Sequence, residues 1–261
     1  MSRTADFRKL MMSGKPLAGT FLKTPHYIIV EVLAQSGLDF LCLDAEHAPF
    51  DRNTLDQCLA VAQALDFPIL VRVADSSPRE ILQALDYGAV GIVAPHVDSA
   101  KKAAAVAKSA HYGLDGRGYA GSTRWAGYAT QKMPDLLERS KRETIVIAQI
   151  EDPQGVDEVE EIAATRGVDG IFIGPADLSV GYGKTDQTSP ELHAAMLKVG
   201  RAAKKNSKPY MSFVPDAMKA AEWNEAYGLS MFFVASEHNW MRKGATHEAQ
   251  GIHNIKSENT S

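Results

Sequence analysis

Cysteine is nearly absent from this chain of 261 residues: Cys42 in FLCLD and Cys58 in NTLDQCLAVAQAL are the two, and neither sits in CxxC or other metal-ligand spacing. That excludes a disulfide framework and a thiolate metal site, and both are expected to be reduced, buried thiols that pack as small hydrophobes. Lysine and arginine never gather into a basic run, and the formal net charge is −4, which argues against a polyanion partner such as nucleic acid. No segment approaches the ~20 apolar residues of a membrane helix. The charged start MSRTADFRKLMMSGKP also lacks the apolar stretch of a signal peptide, so a cytoplasmic protein with no membrane partner is expected. Linkers rich in proline, glycine and serine are missing too, so a single domain over residues 1–261 is expected, with the polar end NIKSENTS, about 254–261, as a flexible tail.

What the chain does have is a repeated alternation. Short apolar runs recur at PLAGTF, DFLCLD, PILVRV, AVGIVAP, TIVIAQI, GVDGIFIG, PYMSF and LSMFFVA. Most lack the polar alternation of a strand with one wet face, which implies burial on both sides. Between them lie helical patterns such as YIIVEVLAQSG, NTLDQCLAVAQALD, SPREILQALDYG, SAKKAAAVAKSA, PQGVDEVEEIAATRG and SPELHAAMLKVGRAAKKN, several opened by serine, aspartate or asparagine and closed by glycine. Eight such units predict an α/β fold, a (β/α)8 TIM barrel over roughly residues 16–240. An open doubly wound sheet would alternate in the same way, but GTFLKTP after the first strand is no GxGxxG fingerprint and cannot cradle a pyrophosphate. The spacing widens once, between residues 95 and 144, where GLDGRGYAGSTRWAGYA is inserted. Long loops in compact domains are usually functional, and this one is expected to form part of the substrate mouth.

Barrels of this kind carry their chemistry at the C-terminal strand ends. Those ends are unusually polar here: Lys23, Asp44 to His47, Arg72, Pro95 and His96, Gln149 and Glu151, Gly174 to Asp177, and Ser236. Glu151 and Asp177, on adjacent strands, offer two oxygen ligands, a hard donor set suited to Mg2+ or Mn2+. Taken singly, either acid could instead cap the helix that follows. Gln149 precedes Glu151 by two residues, so both side chains point into the mouth. Arg72 can hold a carboxylate or keto oxygen and stabilise a developing enolate, or pair structurally with a neighbouring acid. Asp44 and His47 are close enough in LDAEHAPFD for the carboxylate to orient the imidazole, which makes His47 the expected general base. Glu46 either orients a water or pairs with Arg72.

Together LCLDAEHAPFD, the arginine of PILVRV, LDYGAVGIVAPHVDSA, GRGYAGSTRWAGY, AQIEDPQGV and IFIGPADLS resemble the pyruvate-dependent class II aldolases of the HpcH/HpaI family, over roughly residues 16–240. The resemblance implies a lyase acting on pyruvate or hydroxypyruvate and an aldehyde: reversible cleavage of a 4-hydroxy-2-oxo acid through a metal-bound enolate, in a barrel assembled as a homohexamer, a dimer of trimers. It implies Glu151 and Asp177 as ligands to Mg2+, Mn2+ or Co2+, Arg72 at the keto and enolate oxygen, and Gln149 beside metal and substrate. Backbone amides around Gly174, Pro175 and Ala176 would meet the substrate carboxylate, although Pro175 has no N–H. Asp44 and His47 match the acid/base pair, and Asp86 matches an acid that reaches a neighbouring subunit's histidine. The chain departs from the family pattern in LKTP, with Lys23 where a neutral residue is common, and in ASEHNW, which places Ser236 and His238 near the acceptor aldehyde. A polar or anionic acceptor is the expectation from those two departures.

Other readings stay open at this point. Lys23 could serve as a Schiff-base nucleophile. Decarboxylation of oxaloacetate or cleavage of an acyl-CoA proceeds through the same kind of enolate. A sugar-phosphate isomerase is disfavoured because SFVPD and VASEHN lack Gly-rich phosphate loops. A non-catalytic barrel that merely binds a metabolite is also compatible with the sequence.

Overall fold

Alternate residues of each apolar run face two different hydrophobic environments, and that alternation builds the molecule. The computed structural model describes residues 2–258. Its elements are α1 (Arg3–Met12), β1 (Leu17–Leu22), α2 (Tyr27–Ala34), β2 (Phe40–Asp44), α3 (Arg52–Ala64), β3 (Ile69–Arg72), α4 (Pro78–Tyr87), β4 (Gly91–Ala94), α5 (Ala100–Ala110), α6 (Met133–Glu143), β5 (Ile145–Ile150), α7 (Pro153–Asp157), α8 (Val159–Ala164), β6 (Gly170–Ile173), α9 (Pro175–Gly181), α10 (Pro190–Lys205), β7 (Tyr210–Val214), α11 (Ala217–Tyr227), β8 (Met231–Ser236) and α12 (Glu237–Glu258). All eight strands are parallel, each pairs with its neighbour in sequence, and β8 returns to β1. The chain is a single-domain (β/α)8 barrel. No helix among the described residues is long and apolar enough to cross a membrane.

Inward residues fill the barrel with Leu17, Phe21, Phe40, Cys42, Leu70, Val93, Ile147, Phe172, Met211 and Phe233. Their outward neighbours, among them Leu41, Leu43, Val71, Ile92, Ala148 and Ile171, pack under the helices. Gly19 lacks a side chain because the Phe40 ring occupies its space: a Cβ there would come within 2.3 Å of the ring. Phe233 lies 4.9 Å from both Phe21, tilted, and Phe172, edge to face, centroid to centroid, and these rings form a floor beneath the strand ends. The helices start where the caps predict. Asp51 and Thr54 form a reciprocal capping box, Ser77, Ser99, Ser189 and Asp216 each accept from a first-turn amide, and α4 and α11 end on left-handed Gly88 and Gly228.

Three expectations differ from the structure. The run PQGVDEVEEIAATRG is two short helices, α7 and α8, broken at Glu158. The inserted segment, expected to form part of the mouth, is tied to the helices outside the barrel. Arg117, its side chain fully buried, donates to Asp86 from Nε and Nη2, Arg124 pairs with Asp56, and the Trp125 amide bonds the Asp86 carbonyl, so the segment is strapped to α3 and α4. Finally, α12 continues through Glu258, so residues 254–258 of the expected flexible tail are helical, and residues 259–261 lie outside the described residues.

Candidate active site

Strand parity carries polar side chains into the mouth. Lys23 follows inward Phe21, Asp44 follows inward Cys42, Arg72 follows inward Leu70, and Gln149 and Glu151 follow inward Ile147. Asp44 and Arg72 are register partners on β2 and β3. Arg72 donates from Nε to Asp44 Oδ1 at 2.9 Å, and its Nη2 lies 2.7 Å from Oδ2, while its guanidinium carbon sits 4.3 Å above the Phe21 ring centre. Lys23 Nζ adds a third contact to Asp44 at 3.2 Å. Burial pushes the Asp44 carboxyl up, but the charge and hydrogen bond of Arg72, the His47 amide and Lys23 outweigh it and hold it below the usual carboxylate range.

The expected contact between Asp44 and the His47 imidazole is not made. Asp44 Oδ1 instead accepts the backbone N–H of His47 at 3.2 Å, because three residues of turn bring the amide, not the ring, back to the strand end. The half-exposed imidazole stands nearer Glu46, with Nε2 3.7 Å from Oε2. Glu46 itself faces Arg72, Oε2 to Nε at 3.2 Å, and its pKa is raised by burial and by the charge of Glu151 against the opposing pull of Arg72, His47 and His96. Lys23, committed to an ion pair with buried Asp44, would have to leave it to attack a ketone, which weighs against a Schiff-base mechanism.

Glu151 is buried and held on both oxygens. Oε2 accepts from Gln149 Nε2 at 2.5 Å, and Oε1 accepts the His96 amide at 2.7 Å. The buried amide of Gln149 thus finds its partner in Glu151, while Gln149 Oε1 has none among the described residues. His96 adopts a left-handed backbone (φ 53) that turns this amide inward. Its Nδ1 lies 3.1 Å from Asp152 Oδ2, and its Nε2 lies 3.7 Å from Glu46 Oε1. Burial lowers the pKa of His96, but Asp152, Glu151 and Glu46 together raise it. Glu46, His96 and Glu151 present ligand atoms within 4.8 Å of one another, so an imidazole nitrogen joins what the sequence offered as an all-oxygen set. Sequence reasoning noted His96 only as a strand-end residue and left Glu46 open.

Asp177 lies in the first turn of α9, exposed, with Glu151 as its neighbour across Gly174. Both Glu151 Oε2 and Asp177 Oδ2 lie within 4 Å of where a Gly174 Cβ would stand. The amide of Gly174 is not free for a substrate carboxylate, because it donates to Ile150 O at 2.9 Å, and Pro175 has no N–H. Of the three expected positions, Ala176 alone has an amide without a partner among the described residues.

At the β8 end, Ala235 is left-handed (φ 51), and the β1–β8 register shifts so that Ser236 pairs with Phe21. His238 is exposed, with Nε2 2.8 Å from Thr24 Oγ1. Buried Glu237 accepts the amides of Lys23 and Thr24 at 2.9 and 2.6 Å and so seams the first strand end to the last. Phe213, two residues after inward Met211, is an exposed aromatic at the mouth. Parity along PYMSF was the signal for it in the sequence. Asp86 stands apart: it is in the last turn of α4, which leads down to β4, at the opposite end of that helix from the mouth.

A family model described as HpcH/HpaI aldolase/citrate lyase matches residues 17–243. The 5-keto-4-deoxy-D-glucarate aldolase of Klebsiella pneumoniae subsp. pneumoniae is 35% identical over 226 residues, 85% of this chain and 88% of that protein. The hydroxypyruvate/pyruvate aldolase of Paraburkholderia phytofirmans is 33% identical over 257 residues, 95% of this chain and 98% of that protein. The crystal structure of an HpcH/HpaI aldolase/citrate lyase family protein from Burkholderia cenocepacia superposes with a TM-score of 0.90 at 32% identity, covering 96% of this chain and 100% of that one.

Proposed function

The chain belongs to the HpcH/HpaI aldolase/citrate lyase family and is a carbon–carbon lyase; beyond that, we propose that it is a metal-dependent aldolase that reversibly cleaves a 4-hydroxy-2-oxo acid to pyruvate or hydroxypyruvate and an aldehyde. The observation that carries this reading is the convergence of Arg72 and Glu151 on one opening. Glu46 lies 3.2 Å from Arg72 Nε and offers a ligand atom within 4.8 Å of Glu151. A fixed cation and a ligand carboxylate thus stand on either side of Glu46 at the strand ends.

The residues fit a divalent cation. Glu151 and Asp177 point oxygens at the space that Gly174 leaves open, and Gln149 Oε1 is a buried acceptor without a partner among the described residues. Glu151 and Asp177 would hold Mg2+, Mn2+ or Co2+, which when bound supplies a Lewis acid for the C2 ketone. The protein's own part follows from the geometry. Arg72, locked by Asp44 and by the Phe21 ring, presents positive charge where the C2 oxygen gains electrons, with no reorganisation. His47 Nε2 takes the proton of the C4 hydroxyl, the C3–C4 bond breaks toward C2, and the aldehyde departs. Return of a proton to C3 yields the oxoacid. The amide of Ala176 meets the substrate carboxylate, and Ser236 and His238 border the acceptor. The names of the two relatives support pyruvate, hydroxypyruvate and sugar-acid substrates.

The same proposal includes a cytoplasmic homo-oligomer, a hexamer built as a dimer of trimers, in which Asp86 meets a neighbouring copy's histidine. Exposed Met241, Ile252 and Ile255 along α12 support assembly, and sedimentation tests it. The function is tested by incubating pyruvate and hydroxypyruvate with apolar, hydroxylated and carboxylated aldehydes in the presence of Mg2+, Mn2+ or Co2+. The expected result is metal-dependent carbon–carbon bond formation with one or both donors, and no product from any pair would refute it.

A further inference from the structure

Glu151 has two sides. Its Oε2 faces Gln149, Gly174 and Asp177, the side used above. Its Oε1 faces His96 and, beyond it, Glu46, residues to which the proposed reaction gives no metal-binding role. We propose that Glu46, His96 and Glu151 form a binding site for a borderline divalent cation of the Mn2+ to Zn2+ series, with His96 Nε2 as nitrogen donor and Asp152 as the carboxylate that orients the ring. The inference rests on the proposed function only in sharing Glu151.

Three features carry it. First, the ring has a fixed sense: a carboxylate can only accept, so the 3.1 Å contact with Asp152 Oδ2 places the proton on His96 Nδ1 and turns the Nε2 lone pair toward Glu46. A histidine that donates its other ring N–H to a carboxylate is the recurrent arrangement of metal-ligating imidazoles. Second, His96 Nε2 and Glu46 Oε1 are 3.7 Å apart, too far for a hydrogen bond and close to the separation of two ligands that share one ion. Third, the Glu46 side chain is only 10% exposed, yet its Oε2 makes no hydrogen bond among the described residues. Arg72 Nε, 3.2 Å away, donates to Asp44 instead, so Arg72 gives Glu46 charge but no proton. Glu46 thus has a charge partner in Arg72 but no hydrogen-bond donor on Oε2 among the described residues, and a cation held between it, Glu151 and the imidazole would meet that deficit.

The donor set has a chemical consequence. Mg2+ prefers oxygen ligands and keeps its waters, whereas imidazole favours the later divalent ions, so His96 tilts this chain toward Mn2+, Co2+ or Zn2+. Titration of the full-length protein with Co2+, followed by its visible absorption and by calorimetry, tests this beside a parallel Mg2+ titration. His96→Ala, His96→Gln and Glu46→Gln are expected to weaken Co2+ binding by about tenfold or more, and Asp152→Asn by roughly tenfold. The His96 variants should also change the Co2+ spectrum while leaving Mg2+ affinity nearly unaltered, with melting temperatures confirming that they fold. Co2+ affinity and spectrum unchanged in both His96 variants, with Glu151→Gln and Asp177→Asn losing Mg2+, would overturn this inference and leave the aldolase reading intact. Failure of the wild-type protein to bind either ion would overturn both.

Discussion

Asp44 and Arg72 stand opposite one another in the β2–β3 register and close a two-point ion pair, Nε to Oδ1 at 2.9 Å and Nη2 to Oδ2 at 2.7 Å, with both side chains buried. The pair fixes the guanidinium that the reaction needs. Asp44→Asn leaves a buried guanidinium and the Lys23 ammonium short of a counter-charge. Removing one partner of a buried pair typically costs about 3–5 kcal/mol. A loss of that order in urea unfolding is expected, together with a fall in kcat, and an Asn variant as stable as the wild type would show that the pair does not hold the site together.

Gly174→Ala tests the packing of the metal-side carboxylates. Its φ of −98 suits any residue, so the backbone does not require glycine, but a Cβ would stand 2.8 Å from Glu151 Cβ and 3.3 Å from Oε2. The variant is expected to fold, shift Glu151 and lose at least about tenfold in metal affinity, as displacement of a supporting group does elsewhere. Unchanged metal affinity and unchanged activity would contradict this placement of Glu151.

Much of this site was legible in the sequence because strand parity is rigid: Arg72, Gln149 and Glu151 had to face inward once the apolar runs were read as barrel strands. Turns were not legible in the same way. Asp44 and His47 are neighbours in the chain, but the turn delivers the amide of His47 to the carboxylate and sends the ring toward Glu46. His96 joins the cluster through a left-handed backbone that no apolar pattern announces. The insert between residues 95 and 144 has the glycines of a mobile mouth loop, yet Arg117 and Arg124 find acids on α3 and α4, a matter of tertiary charge pairing. The persistence of α12 through Glu258 was likewise hidden, since few apolar residues mark a helical period along its last turns.

The acceptor end of the mouth gives a specificity prediction. His238 Nε2 bonds Thr24 Oγ1 at 2.8 Å, a polar pair at the rim, and Phe213 is exposed at the end of the neighbouring strand β7. His238→Leu is expected to lower kcat/KM for hydroxylated or carboxylated aldehydes roughly tenfold relative to apolar ones, the worth of a single strong polar contact. Equal rates of the wild-type enzyme with both aldehyde classes would sink the proposed polar acceptor.

Acid stability has a local source outside the site. Asp66 accepts from Ser2 Oγ and from the amides of Arg3 and Thr4, at 2.7, 2.7 and 3.0 Å, and so ties the start of α1 to the end of α3. Burial raises its pKa, but the hydrogen bonds together outweigh it and bring it down to about 2. A carboxyl depressed in the folded state stabilises fully above its unfolded pKa of about 3.9, and that stabilisation disappears as the pH falls through the folded value. Between pH 4 and pH 2 the wild type should therefore lose stability that Asp66→Asn lacks from the outset. Parallel stability curves for the two proteins across that window would contradict the assignment.

Lys23 offers a separation of mechanisms. With its ammonium 3.2 Å from Asp44 Oδ2, it should form no covalent adduct, and borohydride in the presence of pyruvate should leave the protein mass unchanged. A stable adduct on Lys23 would replace the metal mechanism with a Schiff base.

The central claim is that Glu151, with Asp177, holds the cation on which bond cleavage depends. The most direct measurement is the rate of 4-hydroxy-2-oxo acid cleavage by wild-type enzyme before chelation, after EDTA, and after Mn2+ is restored, beside Glu151→Gln under the same three conditions. The wild type should fall to background with EDTA and recover with Mn2+, while Glu151→Gln stays near background throughout. Cleavage that survives EDTA, or that persists in Glu151→Gln, would contradict the account.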